Sequence, residues 1–221
     1  MSLPGNRLGA FTVTDVLIVV ATVAVLGGLA YSGFNPLRRH RNPARITCVN
    51  NLRQMGLACR VWANDHQDKF ATSVPTVEGG ALEFAASGSV ARIFQIMSNE
   101  MSSPKILFCP TDIGRQRATN FFSLADSNIS YFLNLDADAT HPQAILIGDR
   151  NISTNGQLMS GILTLPTANQ LAWTADIHKN NGNVGLADGS AQQVTDSVLS
   201  KAIANMTSKA TNPMRLALPS K

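Results

Sequence analysis

The residues of this 221-residue chain that could do chemistry are its histidines, its cysteines and a set of loop aspartates. His178 is followed by nine residues and then by Asp188 and Gly189, so an imidazole and a carboxylate lie in one short stretch. A hydrolase would also need a nucleophile held by a base, and the chain has no Gly-x-Ser-x-Gly elbow. Two interpretations follow: a catalytic or metal-binding pair, or a structural arrangement in which His178 hydrogen-bonds near a hairpin and Asp188 shapes its turn.

Aspartates in the middle of the chain offer the oxygen ligands that Ca²⁺ prefers. Asp136 and Asp138 are separated by one alanine, and Asp149 follows further along. The chain has no EF-hand spacing. These three carboxylates are therefore either a calcium site or solvated loop residues, and the sequence indicates no other cofactor.

The three cysteines are constrained by helix geometry. Cys48 and Cys59 lie on one predicted helix, about 16 Å apart along its axis, whereas the Cα atoms of a disulfide approach within about 7 Å. These two cysteines therefore cannot pair with each other. In an oxidising compartment Cys109 could pair with either of them, and the alternative is three buried free thiols.

A helix that begins near Pro43 has to position the first two cysteines, because proline is accepted in the first helical turn. Apolar residues then recur at the four-three spacing of an amphipathic helix: Cys48, Leu52, Met55, Cys59 and Trp62, with Ile46 and Val49 at the margin. This stripe should pack on a globular partner, either as an ordinary core helix or as the second half of a longer helix.

Beyond residue 65 the chain has the turns and short apolar runs of a strand-rich domain. A short helix is predicted over 90–97, and strands are predicted over 105–109, 129–133, 144–147, 161–165, 170–175, 183–187 and 191–194. Asp188-Gly189 between the last two strands predicts a two-residue hairpin of type I′, which needs positive φ at both central residues. A helix over 196–206 and a frayed tail from Pro213 complete the expected domain.

The N-terminal segment combines one carboxylate with a long apolar run. Residues 16–34 carry no charge and are long enough, at about 1.5 Å per residue, to cross a hydrocarbon core of about 30 Å. Asp15 directly precedes this run, where a carboxylate is costly unless a partner charge or a function compensates it. A cleavable secretory signal is the competing interpretation, but its small-residue site would follow the run, and here Gly9 and Ala10 precede it.

The charge distribution indicates which partners the chain would bind and how it would be oriented in a membrane. The chain has a net charge of +4 and a pI near 9.2, and four arginines follow the apolar run: Arg38, Arg39, Arg41 and Arg45. They are most simply a patch that touches lipid head groups, so nucleic acid is not an expected partner. By the positive-inside rule alone, this patch would place the C-terminal domain in the cytoplasm.

The residues around Ala10, Phe11 and Asp15 resemble the N-terminus of type IV prepilins and type II secretion pseudopilins. In that family a leader ends in a small residue, the mature chain begins with Phe, the fifth mature residue is acidic, and an apolar helix follows. Counting from Phe11, Asp15 falls at the fifth position. The chain departs from the pattern in having Ala10 where Gly is usual and Asp15 where Glu is usual.

A second resemblance lies in the C-terminal half. His178 with Asp188-Gly189 resembles the H-X9-DG element of prepilin-type proteins of the planctomycete and verrucomicrobial kind. Three further stretches look like elements of the same group: 48–57, 108–112 and 148–151. The resemblance favours Cys48 as the partner of Cys109, and major pseudopilins of the family are known for a calcium-bound loop.

The resemblance implies an α+β, pilin-like fold, in which a long N-terminal helix, membrane-spanning in its first half, packs on a small, mainly antiparallel β-sheet head domain. With the segments described above, the expected division begins with a prepilin leader (1–10), a transmembrane helix (11–35) and an amphipathic continuation of that helix (36–65). A head domain (66–210) and a flexible tail (211–221) follow.

The expected function is that of a non-enzymatic subunit of a type II secretion pseudopilus or type IV pilus-like fibre. Prepilin peptidase would cut after Gly9-Ala10 and methylate the Phe11 amine, which would then pair with Asp15 of a neighbouring subunit. The implied partners are other pilin or pseudopilin subunits, the peptidase and an inner-membrane assembly platform. The implied location is a single pass of the inner membrane with a periplasmic head, the reverse of the positive-inside expectation.

Two other functions remain open at this point. One is a membrane-anchored periplasmic binding module whose loop carboxylates and His178 recognise a ligand. The other is a DNA-binding minor pilin of an uptake system, for which the basic balance of the chain is the supporting feature.

Overall fold

The computed structural model describes residues 12–34, 43–165, 171–207 and 213–220, and the chain divides into two compact units, residues 1–41 and 42–221. The first unit contains helix α1 (Val13–Phe34). Its stretch Val13–Ala30 is long and apolar enough to cross a membrane, by length and composition. The predicted leader and Phe11 lie outside the described residues.

Helix α1 begins at a reciprocal cap between Thr12 and Asp15. The Thr12 backbone N–H donates to Asp15 Oδ2 (2.9 Å), and the Thr12 hydroxyl donates to the same oxygen (2.7 Å). The Asp15 N–H in turn approaches Thr12 Oγ1 at 3.4 Å. These contacts satisfy N–H groups that a helix N-terminus otherwise leaves without partners. Asp15 therefore has a structural role within its own chain, which the sequence interpretation did not include.

The second unit is built from one long helix, several short helices and two antiparallel sheets. Its helices are α2 (Pro43–Asp65), α3 (Leu82–Ser87), α4 (Val90–Ile96), α5 (Ser98–Met101) and α6 (Asp196–Thr207). Its strands are β1 (Tyr131–Asn134), β2 (Ile145–Asp149), β3 (Ile152–Thr154), β4 (Gln157–Leu158), β5 (Gly161–Leu165), β6 (Leu171–Trp173), β7 (Gly182–Leu186), β8 (Ala191–Val194) and β9 (Met214–Leu218).

The larger sheet has six strands in the order β5-β9-β1-β2-β7-β8, and the smaller has three in the order β4-β3-β6. Every pairing between the described strands is antiparallel. An apolar N-terminal helix together with an antiparallel sheet domain is the α+β layout that the sequence predicted.

Helix α2 lies on one face of the larger sheet and buries the predicted stripe. Cys48, Leu52, Met55, Cys59 and Trp62 are at most 3% exposed, whereas Ile46 at the margin is 44% exposed. The stripe belongs to the same hydrophobic cluster as Tyr131 and Leu133 of β1. Phe132 points to the opposite face, because side chains alternate along a strand, and joins a second cluster that includes Leu199 of α6.

The position of α2 changes the expected domain boundary. Because α2 belongs to the same compact unit as the sheets, this unit begins at residue 42 and not at residue 66. Part of the predicted helix continuation, residues 36–42, lies outside the described residues.

The hairpin between β7 and β8 is present, but its predicted type I′ turn is wrong. The Leu186 N–H donates to the Ser190 carbonyl (2.8 Å), and the Gly189 N–H donates to the Leu186 carbonyl (3.0 Å). Gly189 has a φ of +85°, whereas Asp188 is not among the positive-φ residues. This is a three-residue loop, a type I turn followed by a left-handed glycine. The Asp188 carboxylate stabilises it by accepting from the Ser190 N–H (2.8 Å).

The C-terminal segment is a buried strand, so the predicted flexible tail is wrong. Strand β9 lies between β5 and β1, and four of its five residues are at most 4% exposed. The Arg115 side chain then donates to the carbonyls of Pro219 and Ser220. A five-residue segment between two prolines, with four apolar residues and Arg215, gives little local signal, and its pairing partners lie far away in the sequence.

The predicted strand over 105–109 is also wrong. Pro104–Leu107 is a 3-10 turn whose start is capped by the Ser103 hydroxyl, which accepts from the Lys105 N–H (3.3 Å). Serine before proline is a common start signal for such a turn. Three apolar residues in a row favour a strand, and here the local capping signal decides the conformation.

Candidate functional site

Four residues from distant segments meet inside the second unit, and we call them the His178 cluster: Cys48, Cys109, Asp149 and His178. Cys48 of α2 and Cys109 form a disulfide with a Cα–Cα distance of 5.3 Å, which is the pairing that the resemblance favours. His178 Nε2 lies 3.5 Å from Cys109 Sγ and 3.4 Å from Asp149 Oδ2. All four residues are at most 3% exposed, so the cluster is part of the protein interior.

Neighbouring elements fix the orientation of Asp149 and His178. Asn183 of β7 donates to Asp149 Oδ2 from its backbone N–H (2.6 Å) and from Nδ2 (2.8 Å). The Arg45 guanidinium of α2 donates to the His178 carbonyl (2.8 Å). On the other side of the ring, Thr111 Oγ1 lies 3.4 Å from His178 Nδ1. The imidazole is therefore held between a carboxylate and a hydroxyl.

A buried ion pair supports the loop that carries Cys109. The Arg150 guanidinium donates to both oxygens of Asp112 at 2.7 Å, and the two side chains are 12% and 2% exposed. Nδ2 of Asn51 on α2 also donates to the Phe108 carbonyl (2.9 Å). Bidentate pairing has the directional geometry that holds a loop in one position.

Burial controls the protonation of the His178 cluster. It raises the pKa of Asp149 to about 7, against the opposing effect of the Asn183 hydrogen bonds. It lowers the pKa of His178 to about 4. Both shifts have the same cause, because removing a charged group from water disfavours its charged form. Both side chains therefore favour their neutral forms in the folded interior.

The arrangement of Thr111, His178 and Asp149 has the order of a hydrolase relay, with a hydroxyl, an imidazole and a carboxylate in a row. The distance from Thr111 Oγ1 to His178 Nδ1 and the distance from His178 Nε2 to Asp149 Oδ2 are both 3.4 Å. Both are longer than the hydrogen-bond reach of a general base, about 2.6–3.2 Å. His178 is 3% exposed, which leaves little room for a substrate beside the ring. In this structure His178 and Asp149 are part of the packed interior.

His178 and Asp188 do not form a pair. They lie at opposite ends of β7, separated by about 16 Å of strand. Asp188 is at the hairpin, where it accepts from Ser190 and from Gln143 Nε2 (3.2 Å). The interpretation of Asp188 as a turn residue is confirmed, whereas His178 makes its contacts at the far end of the strand from the turn.

The three calcium candidates do not meet either. Asp149 lies opposite Tyr131 at the start of β1, and Asp136 follows the end of β1, about 16 Å along the strand. Asp136 accepts from the side chain and the backbone N–H of Arg215, and Asp138 accepts from the Thr140 N–H (2.8 Å). The predicted three-carboxylate calcium site is therefore wrong, because Asp149 lies apart from Asp136 and Asp138, which both line one pocket beside α6.

The sequence interpretation did not connect Asp149 with His178. A signal for this connection is present in the sequence, because the stretches 48–57, 108–112 and 148–151 resemble elements of the same group as the His178 element. In the structure each of these stretches contributes one residue to the His178 cluster. Within the described residues, Cys48, Cys109 and His178 are also a group whose potential metal-ligand atoms lie within 4.8 Å of one another.

Comparison of the chain with protein-family models, with curated proteins and with solved structures found no match. Its function therefore has to be inferred from its residues and their geometry.

Proposed function

We propose that this chain is a prepilin-like structural subunit of a type II secretion pseudopilus or type IV pilus-like fibre. The observation that carries the proposal is the exposed apolar surface of α1 directly behind Phe11 and Asp15. Every described side chain from residue 12 to residue 30 is exposed. An apolar surface of this size needs a cover, and lipid before assembly and the helices of other subunits after assembly would provide it.

In this proposal, prepilin peptidase removes residues 1–10 and methylates the new amino group of Phe11. The sequence supports this step because the small pair Gly9-Ala10 precedes the apolar run, whereas the site of a secretory signal would follow it. The membrane-spanning helix is therefore kept in the mature protein and anchors the head.

Asp15 then binds the Phe11 amine of a neighbouring subunit. Both hydrogen bonds from Thr12 go to Asp15 Oδ2, and Oδ1 takes part in neither, so it can accept from an amine while the helix cap stays intact. A low dielectric strengthens the attraction between amine and carboxylate. The cap would thus hold the carboxylate in position before assembly.

The Cys48–Cys109 disulfide supports a periplasmic location for the head. Disulfides persist in oxidising compartments and are rare in the cytosol. With the head in the periplasm, the arginines after α1 lie on the exported side, against the positive-inside rule. The expected order is insertion in the inner membrane, oxidation of the head, processing and assembly on the platform protein.

The N-terminus of membrane-extracted protein tests this proposal. Full-length protein is expressed with and without a prepilin peptidase, and its N-terminal peptide is analysed by mass spectrometry. We expect N-methyl-Phe11 only in the presence of the peptidase. An intact leader in both samples, or a chain that starts beyond Leu29, would overturn the proposal.

One feature favours the alternative of a membrane-anchored binding module. A groove of about 760 Å³ lies between α6 and the larger sheet. Its walls include Val184, Leu186 and Val198, and Asp138 and His141 lie at its rim. A binding module would keep an unprocessed N-terminus, so the same mass spectrum separates the two functions.

A further inference from the structure

The His178 cluster has the donor set of a zinc site once its disulfide is open. We propose that in the reduced chain Cys48, Cys109 and His178 bind one Zn²⁺, with Asp149 as the fourth ligand. Two thiolates, an imidazole and a carboxylate are ligands that zinc accepts in tetrahedral sites. This inference is independent of the proposed fibre function, because it concerns the second compact unit alone.

Two distances in the cluster are close to edges of a zinc tetrahedron. From the usual Zn–S, Zn–N and Zn–O bond lengths, an S···N edge is about 3.6 Å and an N···O edge about 3.3 Å. Cys109 Sγ lies 3.5 Å from His178 Nε2, and His178 Nε2 lies 3.4 Å from Asp149 Oδ2, the oxygen that also accepts from Asn183. The two sulfurs must separate to about 3.8 Å, which breaking the disulfide permits. Asp149 must also move toward the sulfurs, because it lies outside the group of Cys48, Cys109 and His178 whose ligand atoms are within 4.8 Å of one another.

The Asp149 carboxylate provides a second observation that points to a ligand. Asp149 is fully buried, and its Oδ1 has no hydrogen-bond partner within the described part of the chain. Asn183 holds the other oxygen with two hydrogen bonds. A buried carboxylate oxygen without a partner is costly, and coordination of a cation would satisfy it.

The other nitrogen of His178 has the partner that a zinc-bound histidine needs. Nδ1 lies 3.4 Å from Thr111 Oγ1. With the proton on Nδ1 and directed to this hydroxyl, Nε2 carries a free lone pair that faces Cys109 and Asp149. Outer contacts of this kind orient ligating histidines in zinc sites.

The reaction balances with a dithiol as reductant. The dithiol transfers two electrons and two protons to the Cys48–Cys109 disulfide, giving two thiols and the cyclic disulfide of the reductant. Zn²⁺ then displaces the two thiol protons to solvent and binds both sulfurs as thiolates. The protein would hold zinc in reducing conditions and a disulfide in oxidising conditions.

Zinc binding at such a site would also favour formation of the correct disulfide. The buried thiol of Cys59 is the third cysteine of the chain, and it lies about 16 Å from Cys48 along α2. Zinc would keep Cys48 and Cys109 together and leave Cys59 outside, so that later oxidation joins the same two sulfurs.

Metal titration of the full chain in detergent tests the inference. The protein is reduced with a phosphine under argon, Zn²⁺ is added in competition with a chromophoric chelator, and bound metal is counted by mass spectrometry. We expect one Zn²⁺ per reduced chain and none per oxidised chain. Co²⁺ in place of Zn²⁺ should give a thiolate-to-cobalt charge-transfer band, which reports sulfur ligation directly.

Matched variants separate this site from unspecific binding. His178→Gln and Cys48→Ser should lose the bound metal, Asp149→Asn should bind Zn²⁺ more weakly than wild type, and the control Cys59→Ser should bind as wild type. Circular dichroism of each reduced sample records whether it is folded. Zinc retained by His178→Gln, or lost by Cys59→Ser while its spectrum stays native, would refute the proposal. A reduced wild-type chain that binds no zinc, folded or unfolded, would refute it as well.

Discussion

His178 Nε2 and Asp149 Oδ2 lie 3.4 Å apart inside the protein, with their side chains 1% and 0% exposed. Burial sets the pKa of Asp149 at about 7 and that of His178 at about 4, whereas their ordinary values are 3.8 and 6.5. Folding thus exchanges which partner holds the proton and leaves the number of bound protons almost unchanged. The opposed contributions of the two groups to the pH dependence of stability should nearly cancel in the oxidised wild-type protein.

Replacing one partner should reveal the contribution of the other. In His178→Gln, the folded pKa of Asp149 is above its unfolded value, so the folded state binds more protons between about pH 4 and 7. The free energy of unfolding should therefore fall as pH rises through that window, on the order of 3 kcal/mol. Urea unfolding of oxidised, chelator-treated protein at a series of pH values measures this fall in the free energy of unfolding.

Asp149→Asn should show the opposite slope. The folded pKa of His178 is below its unfolded value, so the unfolded state binds more protons between about pH 4 and 6.5. The free energy of unfolding should then fall as pH is lowered from 6.5 to 4. If the free energy of unfolding changed with pH in the same direction in both variants, the two residues would not share a proton.

The disulfide should stabilise the folded head. Cys48 and Cys109 are 61 positions apart, and a bridge over a long loop restricts the unfolded chain. Cys109→Ser should lower the free energy of unfolding of the oxidised protein by about 2 to 4 kcal/mol, and Cys59→Ser serves as the control. Non-reducing peptide mapping should find Cys48 joined to Cys109 and Cys59 free. Three alkylatable thiols in the unfolded, unreduced protein would contradict the bridge.

Truncation after residue 212 should unfold the head. This deletion removes β9, which is hydrogen-bonded to both β1 and β5, and exposes the centre of the larger sheet. Arg115→Ala, which removes the hydrogen bonds to the carbonyls of Asp126, Pro219 and Ser220, should lower stability by a smaller amount, about 1 to 3 kcal/mol. Limited proteolysis and circular dichroism give the readout. A protease-resistant truncated head would restore the flexible-tail interpretation.

Asp15 should be required for assembly as well as for the helix cap. Asp15→Ala should abolish crosslinking of the subunit into sheared fibres, because breaking a desolvated amine–carboxylate pair costs about 3 to 5 kcal/mol, whereas Asp15→Glu should keep it. Thr12→Ala is the matched control: it removes the hydroxyl half of the cap and keeps the carboxylate, so it should still assemble. Equal defects in Thr12→Ala and Asp15→Ala would reduce Asp15 to a capping residue.

Local spacing in the sequence determined some of the elements of this protein. The uncharged run after Asp15, the four-three stripe from Cys48 to Trp62 and the Asp188-Gly189 turn signal each depend on neighbours a few residues away, so α1, α2 and the hairpin could be predicted. The same spacing excluded a bridge between Cys48 and Cys59. Helix rise and strand period are local properties, and they can be read without knowing what lies on the other side of the core.

The tertiary structure decided which residues meet. His178 contacts Asp149 and Cys109 instead of Asp188, because β7 runs antiparallel to β2 and brings the start of one strand to the end of the other. The C-terminal run became a central strand because β1 and β5 offer it backbone partners on both sides. Strand pairing and burial arise between segments distant in sequence, and the shifts in the pKa values of Asp149 and His178 are set by that burial.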